Sequence, residues 1–120
     1  MTKRCEHLVV FSRHEPEFST EVTAEEKCVR GRPVQRTWNH FTSEDGRFFA
    51  GIWEGEPGCI RIDYTENEYC RLIEGMVILR DTQGAEVTLR AGEEFVIPAG
   101  FRGEWETVEK VRKLYVIYQP

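Results

Sequence analysis

The residue types best suited to metal binding or nucleophilic attack are present, but their spacing organises neither. Cys5, Cys28, Cys59 and Cys70 include no Cys-x-x-Cys pair, the spacing that zinc ribbons use. They read as four reduced thiols of a cytoplasmic protein, and as small residues of a kind that is often buried. His7, His14 and His40 all lie within the first 40 residues. His7 and His14 read as surface or turn residues. His40 could approach a site built by later segments, which makes it a reserve candidate for acid–base catalysis. No phosphate loop, Ser-His-Asp signature or dinucleotide fingerprint is present.

The elements that must position any site belong to one small domain. The chain has 120 residues, 40% hydrophobic and 31% charged. A chain of this length buries roughly two-thirds of its unfolded surface, enough for one core without disulfides. The 16 basic residues are outnumbered by 21 acidic ones, for a net charge of -5. That balance argues against a nucleic-acid binder, whose affinity rests on Lys and Arg. The apolar runs fall far short of the ~20 residues that span a bilayer. Leu8–Phe11 is also shorter than the ~7 residues of a signal-peptide core, so export is not expected.

From Pro33 onward, short segments rich in β-branched and aromatic residues alternate with glycine. They are Phe48–Trp53, Cys59–Tyr64, Tyr69–Ile73, Met76–Arg80, Glu86–Arg90, Glu94–Ile97 and Val111–Tyr118. Strands at this spacing predict an all-β sandwich or barrel. Ile60 and Ile62 alternate with Arg61 and Asp63, so one face of that strand faces a core. Asp81–Gly84 predicts a hairpin connection, and Pro98–Gly100 a tight turn leaving a strand. Upstream, Leu8–Phe11 reads as a strand. Ser19–Glu26 reads as one helical turn, with Thr23 as its cap and Glu26 three residues on. Residues 1–32 are taken as an N-terminal extension that packs on the barrel or on a dimer partner. Residues 33–120 are taken as the barrel.

Two stretches carry a resemblance. Pro57-Gly58, followed by Glu68-Tyr69-Cys70-Arg71-Leu72-Ile73-Glu74-Gly75, resembles the first motif of the cupin superfamily. Gly92-Glu93-Glu94-Phe95-Val96-Ile97-Pro98-Ala99-Gly100 resembles the second. With Gly51-Ile52-Trp53, Gly103–Glu106 and Val111–Ile117, the chain is similar to small single-domain cupins grouped with the cupin domain of (S)-ureidoglycine aminohydrolase. The resemblance implies an RmlC-like cupin jelly-roll β-barrel, often a homodimer. Its pocket would lie inside the barrel, frequently with a divalent metal held by His and Glu or Gln.

The departures from those motifs set the expectations for the site. The positions of the two family histidines fall within Arg61–Tyr64, where none is His. The second-motif histidine falls on Gly103, and Glu104 beside it points to the opposite face of a regular strand. Glu68 is the one family-type ligand in register, whereas a catalytic metal normally takes three protein ligands. No metal or other cofactor is therefore expected; manganese, zinc, iron and nickel are the alternatives. Glu68 is the candidate catalytic residue, as ligand, general base or hydrogen-bond acceptor, or else it pairs with Arg61, Arg102 or Lys113. Cys70 shares its strand face. Arg61, Tyr64, Glu68, Cys70, Trp53, Phe95, Trp105, Lys113 and Tyr115 are the expected pocket residues. Arg61 and Lys113 would suit the carboxylate of a ureido acid. Three functions stay open: a metal-free receptor for a small polar metabolite, a hydrolase or isomerase resembling the aminohydrolase, and a structural dimer whose barrel is filled.

Overall fold

Two long strands organise the molecule, and each serves two layers in turn. A computed structural model describes residues 1–120. The strands are β1 (Glu17–Val22), β2 (Cys28–Arg30), β3 (Val34–Thr42), β4 (Phe48–Gly55), β5 (Gly58–Asp63), β6 (Asn67–Asp81), β7 (Glu86–Arg90), β8 (Glu94–Ile97) and β9 (Arg102–Tyr118). β6 and β9 pair antiparallel from Asn67–Tyr118 to Asp81–Gly103, with register shifts between Leu72 and Val77. Bulges bend strands, and here the pair passes from one layer to the other.

On the far side of β9, β4 pairs with its second half and β5 with its first. On the far side of β6, β8 pairs with its first half and β7 with its second. One layer is therefore β1-β3-β4-β9-β6-β8, and the other β2-β5-β9-β6-β7. This is the jelly roll that the motifs imply, and it contains little helix. Leu72, Val77, Leu79, Leu89, Ile97, Trp105 and Val111 form its buried cluster.

The predicted turns form for the expected reasons. Asp81 Oδ1 accepts hydrogen bonds from the N–H groups of Gln83 and Ala85, and Gly84 takes φ +87°. Such a left-handed φ favours glycine. Ile60 and Ile62 pack against the core while Arg61 and Asp63 face out.

The N-terminal extension differs from its reading. Leu8–Phe11 forms no strand; three-residue 3-10 turns flank it at Cys5–His7 and Phe11–Arg13. The extension's strands are Glu17–Val22, paired with β3, and Cys28–Arg30, paired with β5. All six residues of β1 are exposed, so no alternation marked it. Within Ser19–Glu26 and just beyond it, the helical turn is Glu25–Lys27, preceded by Ala24. Thr23 does not cap it: the hydroxyl is buried and donates to the Pro33 carbonyl at 2.7 Å.

Candidate functional site

Strand register lays side chains in rows across the inner face of the first layer. Thr37, Trp53, Lys113 and Leu72 are successive partners on β3, β4, β9 and β6. The next row is Asn39, Gly51, Tyr115, Cys70 and Phe95. A third is Phe49, Ile117, Glu68 and Ile97. Across the barrel, Trp105 descends from β9 in the second layer, where Ile60 and Leu79 flank it. A cavity of about 1360 Å³ opens between the layers onto Thr37, Trp53, Glu68, Trp105, Lys113 and Tyr115 of these rows.

Gly51 is what lets Tyr115 lie as it does. A Cβ there would sit 2.3 Å from the Trp38 carbonyl oxygen and 2.6 Å from the Tyr115 hydroxyl. With no Cβ, Tyr115 reaches across Gly51 and donates to Asn39 Oδ1 at 2.7 Å.

The centre of the site is a buried ion pair. Lys113 Nζ lies 3.0 Å from Glu68 Oε2, and the two side chains are only 6% and 5% exposed. The same ammonium sits 4.8 Å from the Trp53 ring centroid and 4.6 Å from that of Trp105. The two indoles meet edge to face with centroids 5.7 Å apart. Ring faces carry negative charge and attract a cation, most of all when water is excluded. Tyr64 donates to the second carboxylate oxygen, Glu68 Oε1, at 2.6 Å. Tyr64 is fixed by its own backbone, which accepts from Gly100 N–H at 2.6 Å and donates to the Phe101 carbonyl at 2.8 Å. The predicted turn at Pro98–Gly100 thus helps to set the phenol.

Protonation follows from this packing. Burial works against the Lys113 ammonium, but Cys70, Glu68 and Tyr64 around it outweigh burial and hold its pKa above the ordinary 10.5. Burial pushes the Cys70 thiol up to about 12, with Lys113 opposing and Glu68 reinforcing the rise. Burial also holds the Tyr64 phenol well above 10. At neutral pH both keep their protons, so Glu68 is the charged partner of Lys113. Cys70 stays a thiol, which is poorly nucleophilic.

The expected pocket residues divide into three groups. Trp53, Tyr64, Glu68, Trp105, Lys113 and Tyr115 come together on the cavity. Arg61 lies at its rim, with its guanidinium donating to the Glu26 and Cys28 carbonyls at 3.0 and 3.4 Å. Cys70 and Phe95 do not line the cavity. Cys70 is fully buried, and Phe95 packs against Trp105 at 6.4 Å. His40 is also away from it. A bulge between Asn39 and Phe41 interrupts the β3 register there. The ring stacks on Phe11 at 4.1 Å and meets His14 nitrogen to nitrogen at 3.0 Å.

Sequence reading missed the β3 wall, formed by Gln35, Thr37 and Asn39. Gln35 accepts from Trp53 Nε1 at 3.3 Å and donates to Thr23 Oγ1 at 2.9 Å. The available signal was alternation of polar residues in Val34–Thr42, whose Gln35, Thr37 and Asn39 face the cavity instead of an apolar core.

The donors do not suit the metal that the resemblance implies. No three His, Cys, Asp or Glu side chains converge. Both oxygens of Glu68 are already engaged. Gly103 has no side chain and no room for one, because a Cβ would lie 1.8 Å from the Arg80 carbonyl oxygen. Glu104 pairs in register with Arg61 and Arg80, on the face opposite Trp105. Divalent ions need three or more converging donors, and the barrel offers an ammonium in their place.

Comparison with known proteins agrees with this architecture. No curated protein matches the chain. A DUF861-family protein of unknown function from Pseudomonas syringae pv. tomato is 22% identical over 84% of this chain, with a TM-score of 0.76. The chain spans 44% of that protein's length. The EutQ protein of Clostridium difficile is 24% identical over 82% of this chain and 74% of its own, with a TM-score of 0.66. An ethanolamine utilization protein Q from Salmonella typhimurium is 23% identical over 88% and 96%, with a TM-score of 0.64. These likenesses show the fold. The model of the EutQ-like cupin domain matches residues 42–115, more than half of the sequence, and the chain belongs to that family.

Proposed function

We propose that the barrel binds a small polar metabolite bearing a carboxylate or ureido oxygen, without a metal. The observation that carries this reading is Lys113, whose buried ammonium borders an open cavity of about 1360 Å³. An ammonium has three N–H donors, and one carboxylate oxygen takes one of them. The indole faces balance charge without consuming N–H donors in ordinary hydrogen bonds, so even with the Cys70 sulfur beside the ammonium a donor is left for a ligand oxygen. Gln35, Thr37 and Asn39 supply the neutral polar wall that orients such a ligand. The open volume argues against a structural barrel filled by its own side chains. The absence of converging donors argues against a metal-dependent hydrolase. Similarity to the ureidoglycine aminohydrolase cupin domain enters only as the ureido class of ligand. The four free thiols suit a reducing, cytoplasmic setting.

The test is calorimetric titration with small carboxylic and ureido acids, with ethanolamine as the cationic control. At least one acid should bind, and Lys113→Gln should weaken it about tenfold or more, as expected for a lost charge-assisted hydrogen bond. Ethanolamine should not bind, because the cation position is filled. Absence of binding across all the acids would sink the reading.

A homodimer is part of the same proposal. β1 ends the first layer, with Phe18 and Val22 exposed on it and Phe18 tilted against Trp38 at 5.2 Å. Exposed edge strands invite pairing with another chain. The wild type should sediment as a dimer and Phe18→Glu as a monomer; a monomeric wild type rejects this part.

A further inference from the structure

The arrangement around Lys113 is a cage for a primary ammonium, and the lysine is its tethered occupant. Two indole faces, one from each layer, lie 4.8 and 4.6 Å from Nζ, and a single carboxylate oxygen lies at 3.0 Å. Indole faces attract a monocation through their quadrupole and offer no lone pair for coordination. A divalent ion would find one carboxylate with the buried Cys70 thiol beside it, short of the three protein ligands it normally takes. The Lys113 backbone sits opposite Trp53 on one side and Leu72 on the other, so the stem enters through an apolar row. We propose that this is an ammonium-selective site, filled by the protein's own cation in place of a metal, and that it will accept a free alkylammonium ion once the tether is cut. The inference concerns the same site as the proposed ligand reading but does not require any metabolite to bind.

Lys113→Ala removes Cγ through Nζ, which n-propylammonium reproduces atom for atom. Its melting temperature should rise with the logarithm of n-propylammonium concentration above the dissociation constant, by about 3–6 °C at tenfold that constant. The uncharged isostere 1-propanol should produce no comparable rise. Glu68→Gln in the Lys113→Ala background should abolish most of the response, and the wild type should show none. Equal responses to propylammonium and propanol would overturn the proposal, since the site would then be only an apolar hole. Metal analysis of the wild type gives an independent reading. Manganese or zinc at about one per chain, lost in Glu68→Gln, would also overturn it. If Lys113→Ala does not fold, Lys113→Arg and Lys113→Met decide the matter. A cage built for a cation predicts that Arg, which keeps the charge, melts above Met; the reverse order would refute it.

Discussion

Lys113→Met should lower unfolding free energy by about 3–5 kcal/mol, the range seen when one partner of a buried ion pair is removed. Small domains are stable by only about 5–15 kcal/mol, so this is a large share of the total. The carboxylate of Glu68 would remain 5% exposed, with Tyr64 as its one hydrogen-bond donor. Methionine fills the lysine stem's volume, so loss of the charge dominates over loss of packing. Replacing both partners, as Lys113→Met with Glu68→Leu, should recover most of the deficit, because the desolvation of both charges disappears with them. Urea unfolding of wild type, both single variants and the double variant checks this. A double variant less stable than Lys113→Met would contradict it. The pH dependence has a definite sign. The folded pKa of Lys113 lies above 10.5, so the lysine's contribution is complete below that value and falls only as pH rises past it. Wild-type stability from this source should be flat between pH 6 and 9.

The legibility of this site in the sequence follows the physics of its strands. Segments with one apolar face, such as Cys59–Asp63 and Glu94–Ile97, announced themselves by alternation or by β-branched content, and their hairpins were marked by glycine and proline. β1 and β3 carried no such mark: β1 is exposed throughout, and β3 turns Gln35, Thr37 and Asn39 toward a cavity. The Lys113–Glu68 pair was one of three partnerships open for Glu68. Sequence alone could not choose among them, because Lys113 lies opposite Leu72 and reaches Glu68 only along the lysine's length. Arg61 and Arg102 were equally plausible cations, yet both remain at the rim, Arg102 paired with Asp63 at 3.2 Å. Cys70 shares its strand face with Glu68 but is fully buried between Phe95 and Tyr115, its partners in register, and does not line the cavity. Alternation sorts residues to a face; cavity depth and side-chain reach decide which of them touch a ligand.

Gly103→His should fail to restore a metal centre, and the failure should be structural. The substitution puts a family-type ligand at its motif position, so a motif argument alone predicts gained metal affinity. Geometry predicts the opposite. A Cβ at residue 103 would lie 1.8 Å from the Arg80 carbonyl oxygen and 2.9 Å from its carbon. Both belong to backbone, so no rotamer change relieves the contact. Gly103 is paired with Asp81 on β6 and Ile62 on β5, in the middle of three strands, so the sheet has no free edge along which to yield. Overpacking typically costs about 1–3 kcal/mol and sometimes more; with backbone as the obstacle, the loss should reach or exceed about 3 kcal/mol. Gly84→Ala provides the comparison. A Cβ there meets nothing within 4 Å, and its φ of +87° imposes conformational strain alone, worth roughly 1–2 kcal/mol. Thermal melts and soluble yield should therefore rank wild type, Gly84→Ala and Gly103→His in that order, and manganese or zinc should not rescue the last. A well-folded Gly103→His that binds about one metal per chain would mean that the β6–β9 pair can separate at this point. The want of a converging ligand set would then trace to the missing side chain at residue 103 alone, and Lys113 would be a replaceable occupant of the site.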